Sequence, residues 1–371
     1  MGFGRWALRD TYGIREVYSK GRTTVTTTLT AITTSDGFNS VQFTSSNGKI
    51  TGVLQQIGLS DLTLRPTYLP INLNDNIYNT VRSVTYSDVF GIDTIISSGL
   101  NYVYSISNDQ GTSVQSVITL YRDDGSNGLT LVSKTDDTGR DFGIAVVTLN
   151  NTAYAFFLPS PIPSTNTRQG AQITWNTSGG ALTGWSSYTN LTFSSFPAVN
   201  RIRYANGFST HILFGYASSL TTVELGSLSG TTITYRSAKT TIGNVTRIRN
   251  DGTYYYVVTT SGYIYRYTIN STPSISAEDS FQVSTTNNSL QDVIKAGDFI
   301  CCTSVDGYLY IIPSDNFNSS NVIKRQILDS GAATTRLQGL LYDSTNNYLL
   351  IPSNRTNRIF YFNLTLMQQE Q

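Results

Sequence analysis

Chemistry needs side chains that exchange protons, hold metal or attack as nucleophiles, and this sequence offers few at a useful spacing. His211 is the only histidine, in STHILFGYA. One imidazole cannot build a multi-histidine metal site. A Ser–His–Asp arrangement would need partners that no motif here supplies. His211 therefore reads as a structural or surface histidine. Asp123–Asp124 and Asp136–Asp137 are adjacent pairs in the loops RDDGSNG and TDDTGRD. Paired carboxylates are the tools of acid–base hydrolysis, and loop carboxylates with carbonyls suit Ca²⁺. The EF-hand spacing is absent, and adjacent loop acids are first of all turn formers. Cys301 and Cys302 are neighbours. On a strand they would point to opposite faces, so they form neither a disulfide nor a CxxC site. The triplet RIR occurs at Arg201–Arg203 and again at Arg247–Arg249, 46 residues on. Each places two arginines on one strand face, as solvated or ion-paired positions or as the lining of an anion-binding groove. No catalytic residue, metal ligand or cofactor site is assigned.

The elements that would position such residues are short strands in a repeat. From Asn244 to Pro313 one pattern is written twice: VTRIRN, TYYYVVTT, YIYRYTI, then LQDVIKA, FICCTS, YLYIIP. Tyr254 and Phe299 stand 45 residues apart, as do Tyr263 and Tyr308. The runs are rich in Tyr, Val and Ile, which suit a pleated surface. They are joined by turns carrying Gly beside Asp or Ser, because hairpin turns require positive φ. About 45 residues and about four strands per unit is the pattern of a propeller blade.

Composition excludes several classes. The aromatic fraction is 12% and the charged fraction 13%, so the chain can bury a core and is not disordered. A formal net charge of +1 argues against a broad nucleic-acid surface. No apolar run reaches membrane-spanning length, and MGFGRWALRDTYGIREVYSKGR has no secretory h-region. Nine Asn-x-Ser/Thr sequons occur, but a chain this rich in Asn, Ser and Thr produces them by chance.

Taken in order, residues 1–22 are an arm with a strand-like segment, Tyr12–Tyr18. Residues 23–371 are the propeller, with an inter-blade insertion about 69–92. The first blade begins at Thr23 with TTLTAITT as its opening strand. Seven blades are expected, or six if Thr23–Tyr68 forms a separate cap. The seventh has three strands, RLQGLLYD, YLLIPS and RIFYFNLTL. Closure removes exposed strand edges, so Tyr12–Tyr18 is expected to pair with Arg358–Thr365 as the missing outer strand. Arg5, Trp6, Leu8 and Arg9 then lie beyond the ring as a candidate anchor to a neighbouring subunit. The loops Pro159–Gly170 and Leu69–Ile92 exceed what a hairpin needs and are candidate contact loops.

The chain from Thr23 resembles β-propeller proteins. It has no WD dipeptide and no kelch double glycine. SGGALTGW (Ser178–Trp185) approaches the Ser-x-Asp-x-Gly-x-x-Trp box of sialidase-like propellers, but Gly180 and Leu182 stand where its Asp and Gly belong. It reads as a tight turn before a packed tryptophan. The polar, Ser/Thr/Asn/Gly-rich strands and low lysine content resemble structural proteins of tailed-bacteriophage virions, such as tail, nozzle and fibre proteins. That resemblance implies a non-enzymatic structural or assembly role in a virus particle. It implies other virion proteins and copies of this chain as partners, a virion location after synthesis in a host cytoplasm, and no cofactor. The alternative is a propeller module that binds a glycan or receptor on a viral or cell surface. A hydrolase or lactonase-type enzyme is the third reading, and it would need convergent carboxylates or a metal in the central channel.

Overall fold

The computed structural model describes residues 30–33, 38–46, 49–56, 63–69, 82–83, 86–109, 115–123, 129–134, 142–158, 168–197, 202–216, 221–270, 273–283, 289–327, 340–343, 347–353 and 358–364. After strand β1 (Thr30–Thr33) come seven sheets, numbered here in chain order. Sheet 1 is β2 (Phe38–Ser46), β3 (Lys49–Gln56), β4 (Thr63–Leu69) and β5 (Arg82–Ser83). Sheet 2 is β6 (Tyr86–Ser97), β7 (Leu100–Asp109), β8 (Gln115–Asp123) and β9 (Leu129–Lys134). Sheet 3 is β10 (Phe142–Leu149), β11 (Thr152–Leu158), β12 (Gln169–Ser178) and β13 (Ala181–Asn190). The short β14 (Thr192–Ser194) precedes sheet 4, which is β15 (Ile202–Phe208), β16 (His211–Tyr216), β17 (Thr222–Ser229) and β18 (Thr232–Thr240). Sheet 5 is β19 (Val245–Asn250), β20 (Tyr255–Thr259), β21 (Tyr263–Ile269) and β22 (Ile275–Gln282). Sheet 6 is β23 (Leu290–Ala296), β24 (Phe299–Ser304), β25 (Tyr308–Pro313) and β26 (Ile323–Gln326). Sheet 7 is β27 (Leu341–Asp343), β28 (Tyr348–Ser353) and β29 (Arg358–Asn363).

Within each sheet the strands pair antiparallel in chain order. The first strand of each sheet touches the first strand of the next, from β2 through β27, and β27 touches β3 of sheet 1. The first strands therefore lie at the centre and the fourth strands at the rim. This is the β-propeller architecture, in sheets that are nearly all β. β14 adds to sheet 4 as a fifth strand, parallel to β18.

There is no single core. Apolar side chains fill the spaces between consecutive sheets, so the middle strands are buried on both faces and read as continuous apolar runs. On β20, Tyr255 and Val257 pack towards sheet 4. Tyr256 and Val258 pack towards sheet 6. Cys302 joins the space between sheets 5 and 6, and Cys301 that between sheets 6 and 7. The two thiols are thus on opposite faces, as strand alternation requires.

Two expectations about boundaries are corrected. The last three strands do receive a fourth from the N-terminal part of the chain, but it is Thr30–Thr33. β1 pairs antiparallel with β29, Thr30 opposite Tyr361 and Thr33 opposite Arg358. β1 ends shortly before β2, so the step from rim to centre is as short as between other sheets, such as β18 to β19. TTLTAITT therefore does not open sheet 1, and Tyr12–Tyr18 lies outside the described residues. The expected insertion at 69–92 is also smaller. Arg82–Ser83 pairs with β4, and β6 takes residues 86–97 as the first strand of sheet 2.

A recurrent bulge went unread in the sequence. The first strands of sheets 1 to 6 skip one residue, between Phe38 and Ser40, Val89 and Gly91, Gly143 and Ala145, Ile202 and Tyr204, Val245 and Arg247, and Leu290 and Asp292. A bulge sharpens local twist and re-aims side chains. It also breaks the apparent equivalence of the RIR triplets. Arg203 is the extra residue of its bulge and is exposed, whereas Arg247 follows its bulge and returns to the pairing ladder.

Candidate functional site

Among the described residues, an ionic cluster of two arginines and one carboxylate lies on the first strands, at the centre. Alternation places Arg247 and Arg249 on one face of β19, towards sheet 6. Asp292, at the matching register of β23, is fully buried. Its Oδ1 accepts from Arg249 Nε at 3.2 Å and from the Val293 N–H at 2.8 Å. Its Oδ2 accepts from Arg249 Nη2 at 2.8 Å and from the Leu340 N–H at 2.8 Å. Arg247 Nε lies 3.4 Å from Oδ1. One carboxylate thus ties sheets 5, 6 and 7 through a two-pronged arginine pair, the strongest form of such a contact. Burial alone would push the Asp292 carboxyl up, but Arg249, Arg247 and the Val293 N–H overcome it and hold it below the ordinary carboxylate range.

Asp93 on β6 makes the same kind of joint between sheets 2 and 3. Oδ1 accepts from the Thr94 N–H at 2.8 Å and Oδ2 from the Thr148 N–H at 2.7 Å. Thr148 Oγ1 donates to the Thr94 carbonyl at 2.9 Å and bonds Tyr104 OH at 2.8 Å. Burial pushes the Asp93 carboxyl up to about 6, against the bonds from Thr94 and Thr148 and the charge of Arg249. A carboxyl titrating there has the affinity that acid–base chemistry uses. Both its oxygens, however, already hold backbone N–H groups.

A third cluster joins sheets 3 and 4. Arg168, just before β12, donates from Nη2 to Glu224 Oε2 at 2.6 Å, and both side chains are almost fully buried. Tyr216 OH donates to the same Glu224 oxygen and accepts from Arg168 Nε at 3.3 Å. Arg168 also bonds the Pro197 carbonyl at 3.2 Å and stacks on Phe196, 4.6 Å from the ring centre. Burial, then the Glu224 charge, raises the Tyr216 phenol. This cluster anchors the end of the Pro-rich loop, whose residues 159–167 lie outside the described ones.

Of the sequence candidates among the described residues, Arg247 and Arg249 are brought together, on Asp292, while His211, Cys301, Cys302 and Asp123 stand apart from one another's chemistry. His211 opens β16 at a hairpin tip, where burial and the Arg236 charge lower its affinity for a proton. Burial pushes both cysteine thiols up, Cys302 further through Cys301 and Asp292, so neither is poised as a thiolate. Asp123 ends β8 and is buried. Asp124, Asp136 and Asp137 lie outside the described residues, as do Arg5, Trp6, Leu8, Arg9 and Arg201. Ser178–Trp185 is a hairpin turn on Gly179 and Gly180, both at positive φ, with Trp185 paired across from Trp175. Asp93, Arg168, Glu224 and Asp292 were missed. Asp292 had a signal: it stands 45 residues after Arg247 in the repeat and carries the opposite charge. Among the described residues no three His, Cys, Asp or Glu side chains form a metal-binding group. Nor is any helix among them long and apolar enough to cross a membrane.

No protein-family model matches the sequence, and no curated protein matches it. Solved structures match in shape. The chain is similar to the β-propeller domain of Cps50 (Swd1) from Myceliophteria thermophila, with TM-score 0.60 and 15% identity over 90% of this chain and 99% of that one. It is similar to YCF48, solved with a D1 peptide, with TM-score 0.56 and 11% identity over 90% and 94% of the two chains. It is also similar to a protein described as a 6-phosphogluconolactonase from Bacteroides fragilis, with TM-score 0.57 and 12% identity over 85% and 91%. Identities this low establish the propeller fold and leave function to the residues.

Proposed function

We propose that the chain is a non-enzymatic structural or assembly component of a virus particle, of the phage tail or surface type, built as a seven-bladed closed propeller. The observation that carries this reading is the use made of the central and inter-sheet charges. Asp93, Asp292 and the Arg168–Glu224 pair are joints between sheets, with their polar atoms turned to neighbouring strands and not to a shared open site. A scaffold needs rigid joints of this kind; a hydrolase needs ionisable groups converging on open space. The rim strands and connecting loops remain as contact surfaces for other particle proteins. The test is mass spectrometry and electron microscopy of purified particles from the virus of the source organism. The chain is expected as a stoichiometric component. Its absence from particles, or ester, lactone or glycoside turnover abolished by Asp93→Asn, would refute the reading.

One observation favours a second reading, a glycan-binding module. An open cavity of about 440 Å³ beside β26 is lined by Pro313, Asp315, Asn316, Ser320 and Asn321, with Val322 and Ile323. Amide and hydroxyl groups of this kind bond sugar hydroxyls. A glycan array with wild type and Asn316→Ala decides it: binding lost in the variant supports the second reading, and no binding removes it.

A further inference from the structure

The central joint does not use up the two arginines that make it. Arg249 gives Nε and Nη2 to the two oxygens of Asp292. Arg247 Nε stands 3.4 Å from Oδ1, but it is buried and makes no hydrogen bond. Asp292 has little left to offer it, because its oxygens also accept from the Val293 and Leu340 N–H groups. Two guanidinium groups carry more N–H donors than one carboxylate can take. The pair therefore holds a surplus of positive charge and of donors. Elsewhere among the described residues, Arg168 and Arg266 each have a carboxylate of their own.

The surplus can be reached from solvent. Arg247 and Arg249 keep 23% and 27% of their side-chain surface, whereas Asp292 keeps none. They stand on a first strand, and Arg249 feels the charge of Asp93 from sheet 2, on the other side of the centre. Asp93 forms no ion pair with either arginine, and both its oxygens hold backbone N–H groups. Its charge is offset by Arg203, which is exposed on the neighbouring first strand, one place before the residue level with Arg247. Three guanidinium groups thus stand against two carboxylates. The ligand that completes such a set is an anion. Asp292 already fills the place of a planar carboxylate. A tetrahedral oxyanion can accept from both guanidinium groups at once, and its double charge matches theirs.

We propose that Arg247 and Arg249 form a binding site for a phosphate group at the centre of the propeller. The inference does not rest on the assembly reading. The full chain is titrated in a calorimeter with inorganic phosphate and, separately, with glycerol phosphate, at an ionic strength held constant with sodium chloride. The melting temperature is followed alongside. The expected result is saturable binding and a melting temperature that rises with phosphate, since a ligand of the folded state stabilises it. Arg247→Met should weaken binding at least about tenfold, as loss of a charged hydrogen-bond donor does, and it leaves the Arg249–Asp292 pair in place. Arg236→Met, at an exposed position of the rim strand β18, should bind as wild type does. Asp292→Asn removes the competing carboxylate. It should bind phosphate more tightly than wild type, and phosphate should restore part of its lost melting temperature. A purely structural joint would show no such opposite signs. Binding of both probes assigns the site to a phosphate carried on a larger molecule, and binding of the free ion alone assigns it to the ion; either supports the proposal. Absence of saturable binding overturns it. So does binding that survives Arg247→Met, weakens equally with Arg236→Met or is no tighter in Asp292→Asn. The assembly reading fails by a different result, absence of the chain from particles.

Discussion

Replacing Asp292 with Asn tests whether the central cluster holds the sheets together. The carboxylate is fully buried, while Arg247 and Arg249 keep 23% and 27% of their side-chain surface. Breaking a buried ion pair by removing one partner costs about 3–5 kcal/mol. Here the stranded guanidinium groups regain some water through their exposed quarter, which favours the lower end, about 3 kcal/mol. At about 2.1 cal/mol/K per residue the unfolding entropy of a chain this long is about 0.8 kcal/mol/K, so the melting temperature should fall by about 4 °C. Arg249→Met should cost more, because Asp292 has no exposed surface through which to rehydrate. The double variant should lose less than the sum of the singles by at least about 1 kcal/mol, the mark of direct coupling. Calorimetry at pH 7 reads all three. The acid limb gives an independent check. The folded affinity of Asp292 for a proton is depressed, so its contribution is present above pH 3.8 and lost as pH falls through the folded value. The Asn variant should lack that share of acid sensitivity. If Asp292→Asn melts within about 1 °C of wild type and the cycle is additive, the cluster does not join the sheets.

Other outcomes follow from single contacts. Asp93 has the opposite sign: its folded value of about 6 lies above 3.8, so its contribution is present below pH 3.8 and lost as pH rises through 6. The fall in melting temperature between pH 5 and 7 should therefore be smaller in Asp93→Asn, and an unchanged fall refutes the assignment. Gly180→Ala should destabilise by about 1–3 kcal/mol, through positive φ and the overlap with Ser98, and Ser98→Gly should restore part of it. Deleting residues 2–18 leaves β1 in place and should lower the melting temperature less than a deletion that removes it. Deleting residues 2–33 removes β1, bares the edge of β29 and should lower it. Equal melting of both deletions would show that β1 does not matter for stability.

Much of this fold is legible in the sequence because its determinants are local. Alternating Tyr, Val and Ile mark strands, Gly beside Asp or Ser marks turns, and the 45-residue spacing of Tyr263 and Tyr308 marks the repeat. Those signals define the sheets from β6 onward with few boundary errors, and strand alternation alone places Cys301 and Cys302 on opposite faces. Partner choice across the chain is not local. Thr30–Thr33 and Tyr12–Tyr18 both read as acceptable strands, and nothing local marks Thr30–Thr33 as the one that pairs with β29. The bulges that separate Arg203 from Arg247 leave no residue-type signature, since any side chain can be the extra one. The joints of Asp93 to Thr148, Asp292 to Arg249 and Arg168 to Glu224 link residues 43 to 56 positions apart. The hairpin tips of sheets 2 and 3 meet through Ile96 with Asn151 and Ser97 with Gly180. Periodicity and turn chemistry act between near neighbours and so are written in the sequence. Which charges and tips meet is set by how neighbouring sheets pack, which the tertiary structure alone decides.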